Sequence, residues 1–327
     1  MKVLVTGGTG FAGYHLCRRL AGNGRQVVAL ARQPDTAKDL EENGVQIVKG
    51  DLTDPRTLER ALQGVETVYH LAAVFRRGDL TAAEMHRINA QGTRNLLSAA
   101  RRAGSVRRFV HCSTVGVHGD TGRQPADEET PLRPGDAYQR SKLEGEMAAR
   151  AAIQDGHLAV VIFRPGGIYG PRDMRFLKLF RAIQKGRFVM LGSGKVLYQM
   201  IYIDDLIDGI LLCGSKDEAV GRIYILTGEQ PVTLNHLVGV IARALGIPAP
   251  AGHWPVLPAY LAGWFCELLC RPLGLDPPLH RRRIDFFRKS RAFSIDRAKK
   301  ELGFQPRADL ETGIRKTVAW YREKGYL

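Results

Sequence analysis

The chain is poor in cysteine, in acid and in long apolar runs. Its five cysteines (Cys17, Cys112, Cys213, Cys266 and Cys270) are scattered and odd in number. They form no C-x-x-C pair and no Cys/His cluster of zinc spacing. A disulfide scaffold and a structural metal site are thereby excluded, no metal is expected, and the thiols read as reduced packing residues of a cytoplasmic protein. Met1 leads straight into the first apolar run, so no signal peptide is expected. The most apolar stretch, Trp254 to Cys270, is too short and too interrupted by Pro255 and Pro258 for a convincing membrane span. Internal repeats and low-complexity segments are absent. Acidic residues number 33 against 48 Lys and Arg, a net charge of +15. Such a surplus favours anionic ligands, membrane surfaces or nucleic acid. No nucleic-acid motif with interleaved aromatics accompanies it, so nucleic acid is not an expected partner and most of the charge reads as a basic surface. One cluster is denser: Arg281, Arg282, Arg283, Arg288, Lys289 and Arg291.

What is present is informative from the first residue. Lys2 to Val5 reads as a short buried strand, and Thr6 to Gly10 as a glycine-rich turn. From Phe11 the period becomes helical, with Phe11, His15-Leu16 and Arg19-Leu20 recurring every three to four residues. A strand passing through Gly7-x-x-Gly10-x-x-Gly13 into a helix is a phosphate-binding device. The first glycine permits the tight turn, the second lets backbone approach a pyrophosphate, and the third lets helix and strand pack closely.

Further apolar runs follow at Gln26–Ala31, Val45–Val48, Thr67–Ala72, Arg107–Cys112 and Leu158–Phe163. Helical stretches lie at Pro55–Leu62, Ala82–Ala103 and Ala137–Ile153. This alternation predicts an α/β fold, a doubly wound parallel sheet of Rossmann type, with ligands at the carboxyl ends of the strands. The 327 residues allow a large domain with a smaller lobe.

Tyr138 and Lys142 stand four residues apart on a predicted helix and so share a face. A phenol with a pKa near 10 is too weak a base at neutral pH, and a nearby ammonium favours the phenolate. Such a phenol can exchange a proton with a substrate hydroxyl or carbonyl while a hydride moves. Of the ten tyrosines only Tyr138 has a lysine at this spacing. An ordinary amphipathic surface is the alternative reading of the pair.

The motifs together resemble the extended short-chain dehydrogenases/reductases, the family of nucleotide-sugar epimerases, dehydratases and 3β-hydroxysteroid dehydrogenases. They are Thr6-Gly7-Gly8-Thr9-Gly10-Phe11-Ala12-Gly13, Gly50-Asp51-Leu52, His70-Leu71-Ala72-Ala73, Asn89 within Ile88–Thr93, Ser113-Thr114, Tyr138-x-x-x-Lys142, Arg164–Pro171 and Tyr202-Ile203-Asp204-Asp205. The resemblance implies roles by position. Gly7, Gly10 and Gly13, with Phe11 and Ala12, would cradle the pyrophosphate, and Asp51 and Leu52 would border the adenine. Leu71, Ala72 and Ala73 would line the path to the nicotinamide ribose, and Asn89, Pro165, Gly167 and Ile168 would complete the cofactor site. Tyr138 would be the catalytic acid/base and Lys142 would hold the ribose and tune the phenol. Thr114, five positions before Gly119, would hydrogen-bond the reacting oxygen, with Ser113 as the fallback. The resemblance also implies a homodimer through the Ala82–Ala103 and Ala137–Ile153 helices. The dinucleotide domain would span 1–164 plus about 199–227, and a C-terminal α/β substrate lobe about 165–198 plus 228–327.

Cofactor choice is read after the second strand. Where NAD-selective chains carry an acid this one reads Ala31, followed by Arg32. An arginine can pair with a 2′-phosphate, which favours NADP(H), with NAD as the alternative. The substrate-diphosphate arginine of sugar-nucleotide members is replaced by Tyr198, and the R-P-G-D element is missing. Arg172, Arg175, Arg181 and Arg291 are its candidate substitutes. The C-terminal third resembles the 3β-hydroxysteroid dehydrogenase-like and dihydroflavonol reductase-like branch. That implies reversible hydride transfer at a secondary alcohol of a bulky, apolar small molecule. Epimerisation or dehydration of a nucleotide-linked sugar is the alternative. The helix expected within His253–Leu275 reads as an apolar cover for the substrate pocket. Beside the basic run it also has the composition of an anionic-membrane contact, against the plainer reading of a core helix with a solvated basic face.

Overall fold

In the computed structural model all residues are described except 76–79, 123 and 271–280, and the side chains of Arg282 and Arg283. Six strands follow the sequence rhythm: β1 (Lys2–Thr6), β2 (Gln26–Ala31), β3 (Gln46–Lys49), β4 (Thr67–His70), β5 (Arg108–Cys112) and β6 (Val160–Pro165). Together with the strand Ile223–Leu226 they form a seven-stranded sheet, in the order Ile223–Leu226, β6, β5, β4, β1, β2, β3. Every pairing in it is parallel.

Strand alternation sends neighbouring side chains to opposite faces. Val3, Val5, Val27, Ala29, Val161 and Phe163 join one core, while Leu4, Val28, Leu30, Val160 and Ile162 join the other. Both faces are thus covered, as parallel sheets require. Helix α1 (Phe11–Gly22) follows β1, and the Ala137–Asp155 helix packs against β6. The helix Ile203–Ser215 and the strand Ile223–Leu226 return to this sheet, while the remaining C-terminal elements build short two-stranded pairs beside it.

Within the first 110 residues two expectations change in detail. The fourth strand ends at His70 rather than Ala72, because the chain there bends against the Gly7 turn: Gly7 has φ +77°, and a Cβ on it would lie 2.7 Å from Ala72 N. The helix expected over Ala82–Ala103 forms along its whole length but is not uniformly α. Ala82–His86, capped by Thr81 and Glu84, passes into a π-helical turn at Arg87–Gln91 before Gly92–Ala103 resumes the α-helix.

The apolar helix expected near the C-terminus forms over Val256–Cys270, but it faces outward. Only Gly263 and Glu267 are buried, and Leu257, Leu261, Trp264, Phe265 and Leu268 are 46–65% exposed. It therefore neither fills the core nor lids a pocket with those side chains. Leu273 and Leu275, counted with that stretch, lie outside the described residues. Among the described residues no helix is long and apolar enough to cross a membrane.

Candidate functional site

The residues singled out in the sequence converge on one edge of the sheet, where the strands end. After β1, Gly10 is the N-cap of α1 and no side chain caps it, so the first-turn N–H groups face outward. A Cβ on Gly13 would lie 2.0 Å from Gly7 O, whereas on Gly10 it would meet nothing within 4 Å except Gly7 O at 3.2 Å. The third glycine is therefore closed by packing and the second is open to a ligand, a cradle that fits a dinucleotide pyrophosphate. Phe11 and Ala12 are half-buried beside it, with Arg175 Cζ 5.1 Å above the Phe11 ring.

After β2 and β3 lies an open cleft of about 570 Å³ lined by Arg32, Lys49, Gly50, Asp51, Asp54 and Arg60 among others. Asp51 Oδ1 accepts from Thr53 N and Oγ1, each at 2.8 Å, and Asp54 Oδ1 accepts from Arg56 N at 3.1 Å. Both acids are engaged in their own turn. Arg32, Lys49 and Arg60 pair with no carboxylate among the described residues. Leu52 is buried, packed where a Cβ on Gly92 would stand.

After β4, Leu71 and Ala72 are half-buried and Ala73 is exposed. Leu71 N donates to Thr6 O at 3.1 Å and Ala72 N to Thr6 Oγ1 at 3.3 Å. Asn89 departs from the expectation that it touches the cofactor. It is 1% exposed with its amide consumed internally. Its Oδ1 accepts from Val74 N at 2.8 Å, and its Nδ2 donates to Val74 O at 3.1 Å and to Ser141 Oγ at 3.0 Å. It fastens the segment after β4 to the Ala137–Asp155 helix. Pro165, the last residue of β6, is buried, and beyond it Gly167 and Ile168 are half-buried in a short strand paired with Met200–Tyr202.

The Ala137–Asp155 helix carries Tyr138 and Lys142, and Asp136 starts it by accepting from Gln139 N at 2.8 Å. Lys142 is 3% exposed, and its Nζ donates to Cys112 O at the end of β5, 2.5 Å away. Burial lowers its pKa, opposed by Cys112 and Glu146. Tyr138 is half-buried with the Phe75 ring edge-on at 4.9 Å.

Ser113 and Thr114 separate. Ser113 is 2% exposed and its Oγ donates to Glu146 Oε2 at 2.6 Å. Glu146 also accepts from Arg164 Nε at 3.0 Å and Nη2 at 2.6 Å, and from Arg150 Nη2 at 2.8 Å. Burial pushes the Glu146 carboxyl up, but the hydrogen bonds and charge of Arg164, then Ser113 and Arg150, hold it at about 2. Thr114 is half-buried; its Oγ1 accepts from Gly116 N at 3.1 Å, and its own proton has no acceptor among the described residues. Of the fallback pair, only Thr114 keeps a donor at the strand end.

Sequence reasoning missed a buried polar chain beneath the site. Thr93 Oγ1 donates to Asn89 O at 2.7 Å, so it accepts from His70 Nε2 at 2.9 Å; His70 Nδ1 then accepts from Thr6 Oγ1 at 2.7 Å. Burial, and next the charge of Lys142, push His70 down to about 3. His111, 5.4 Å from the His70 ring, is fully buried, and both its nitrogens lack a partner among the described residues. Glu146 was legible in principle, since it lies four residues after Lys142 on the same helical face.

Tyr198 is buried; its hydroxyl donates to Phe286 O at 2.8 Å and accepts from Arg291 Nη1. Of the four substitute arginines only Arg291 reaches Tyr198. Arg172 pairs with Asp39, Arg175 with Asp173, and Arg181 with Tyr326 O.

The model of the NAD-dependent epimerase/dehydratase family matches residues 3–226. A farnesyl-dihydroquinoline-1-oxide ketoreductase of Stigmatella aurantiaca is 32% identical over 96% of this chain and 95% of its own. Sterol demethylase protein B of Methylococcus capsulatus is 32% identical over the whole of both chains. Among solved structures, the dTDP-glucose 4,6-dehydratase of Streptomyces venezuelae with bound NAD superposes with TM-score 0.80, at 28% identity over 100% of this chain and 98% of that one.

Proposed function

The chain belongs to the NAD-dependent epimerase/dehydratase family as an enzyme of the extended short-chain dehydrogenase/reductase type, and from that premise we propose that it interconverts a secondary alcohol and a ketone on a bulky, apolar substrate. The observation that carries this reading is the meeting of Lys142, one helical turn beyond Tyr138, with the end of β5 where Thr114 holds an unspent hydroxyl proton. The two relatives bear on the substrate class, one named for a farnesyl-bearing ketone and the other for a sterol.

The open Gly10 turn and the uncapped start of α1 fit a dinucleotide, with the Arg32, Lys49 and Arg60 cleft beside it fitting a 2′-phosphate. NADP(H) is the reading that follows. A dinucleotide held by the Gly7–Gly13 turn and the start of α1 would supply the hydride chemistry at the carbonyl carbon in either direction. Tyr138 gives its phenolic proton to the carbonyl oxygen, and Thr114 donates a hydrogen bond to that oxygen as charge builds on it. The Lys142 ammonium stabilises the phenolate left behind. Asn89 and Ser141 hold the start of the helix that presents Tyr138.

The test is NADPH oxidation with a panel of apolar ketones, and NADP⁺ reduction with the matching alcohols. Turnover with one of them, lowered about 10²–10⁴-fold by Tyr138→Phe, is expected. A second reading, epimerisation or dehydration of a nucleotide-linked sugar, is favoured by the Arg291 guanidinium lying at Tyr198. No turnover of any ketone or alcohol, with conversion of a UDP-, GDP- or dTDP-sugar, would replace the first reading with the second.

A further inference from the structure

The face of the Val256–Cys270 helix opposite its packing side has no cover within the described molecule. Leu257, Leu261, Trp264, Phe265 and Leu268 fall at i, i+4, i+7, i+8 and i+11, which is one side of a helix, and with Trp254 they are 46–66% exposed. The inward side is built differently. Gly263 approaches Ile284 closely, a Cβ there lying 3.1 Å from Ile284 Cδ1. Glu267, the one acid of the helix, is 6% exposed and accepts from Arg281 N at 2.8 Å, Nη2 at 3.0 Å and Nε at 3.1 Å. Its charge is turned inward and matched, so the outer face is apolar without an anion on it.

Described cations beside that face are Arg288 and Lys289, which flank Asp285 at 3.9 and 2.7 Å, while Arg271 and the side chains of Arg282 and Arg283 lie outside the described residues. Between Trp254 and Arg291 the sequence carries seven Arg or Lys against Glu267, Asp276 and Asp285. Arg288 lies 4.3 Å over the Tyr260 ring at the helix flank. At the other end, His253–Trp254 pairs with Met190–Leu191, which follows the exposed Lys185 and Arg187. Exposed Trp, Phe and Leu framed by Arg and Lys are what a headgroup region of negative charge accepts: rings and aliphatic chains enter the acyl boundary while the cations meet the phosphates.

We propose that this face docks the enzyme on an anionic lipid bilayer surface, the helix lying in the interfacial plane and not crossing it. The same segment borders the catalytic helix, since a Cβ on Gly135, three residues before Tyr138, would lie 3.8 Å from Lys289 Nζ. Docking therefore brings the approach to the site next to the lipid. It extends the apolar-substrate reading without resting on it, because binding to lipid is read without turnover.

The experiment is flotation of the full chain with vesicles of phosphatidylcholine and of phosphatidylcholine with 30% phosphatidylglycerol, alongside tryptophan emission. Binding to the anionic vesicles with a blue shift is expected, weak on neutral ones and weakened by salt. Arg288→Ala with Lys289→Ala lowers binding roughly fivefold for each charge removed. Leu261→Glu with Phe265→Glu abolishes it with far-ultraviolet dichroism and melting temperature retained. Three results overturn the proposal: no flotation of the parent with anionic vesicles, undiminished flotation of the Leu261→Glu/Phe265→Glu chain, or a dimer by light scattering that this variant dissolves with no vesicle binding by the parent. The last would assign the face to a second copy.

Discussion

Ser113→Ala and Thr114→Ala form a pair whose outcomes the geometry sets apart. The Ser113 hydroxyl is spent on Glu146 at 2.6 Å, away from any ligand, and Glu146 retains Arg164 and Arg150 when it is lost. A hydrogen bond to a buried charged group contributes about 1.5–3 kcal/mol. Unfolding entropy of about 2.1 cal/mol/K per residue gives, for 327 residues, roughly 0.7 kcal/mol/K, so Ser113→Ala lowers Tm by about 2–4 °C. Its kcat stays within about threefold of the parent, since no reacting atom loses a partner. Thr114→Ala removes a donor from the reacting oxygen, which costs about 10²–10³ in kcat. It also loses the cap on Gly116 N, about 0.5–2 kcal/mol, so both variants soften the fold while only one stops the chemistry. Thr114→Ser restores the hydroxyl and most of the rate. The assay is kcat on whichever ketone of the panel is turned over, with differential scanning calorimetry on the same preparations. The reasoning fails if Ser113→Ala loses as much kcat as Thr114→Ala, or if Thr114→Ala turns over within threefold of the parent.

Arg32→Ala raises KM for NADPH by about tenfold or more and leaves KM for NADH nearly unchanged, as expected from losing a charged phosphate contact; equal effects on both would remove Arg32 from cofactor choice. Stability falls on mild acidification. His70 titrates near 3 in the fold against 6.5 in the unfolded chain, so the unfolded state binds the extra proton as pH drops below 6.5, and stability present above that pH is lost towards 3. From pH 6.5 to 5 His70 alone accounts for about 2 kcal/mol, His118, held near 4 by burial and then by Arg164, acts in the same direction, and a Tm flat across that range would refute this. Asn89→Ala, which strips three internal hydrogen bonds, lowers stability by about 3 kcal/mol; a raised KM for the cofactor at unchanged Tm would instead put Asn89 on the ligand.

Much of the site could be read from local chemistry, because a glycine turn between strand and helix and a Tyr–Lys pair one turn apart are defined by spacing alone. Where the reading stopped, the missing information was directional. Ser113 and Thr114 are adjacent at a strand end and point different ways, and which one meets a buried carboxylate depends on Glu146 arriving from another element. Asn89 carries the residue type of a ligand-binding amide, yet the π-helical turn aims it inward. The apolar period of Val256–Cys270 is the same whether its stripe meets the core or the outside. Its one acid settles the matter only once Arg281 is seen beside it.

The hydrogen bonds that run from Ala72 N through Thr6, His70 and Thr93 to Asn89 O all point one way, and those from Val74 N through Asn89 and Ser141 to the Tyr138 carbonyl share that sense. Such a sequence cannot flip one rotor at a time, because each reversal sets donor against donor or acceptor against acceptor at the next joint. It acts as a tie rod between the glycine turn proposed to hold the cofactor and the helix proposed to present the acid. Alignment between the two is then settled during folding, and the arriving dinucleotide and substrate find the separation between phosphate grip and phenol already set.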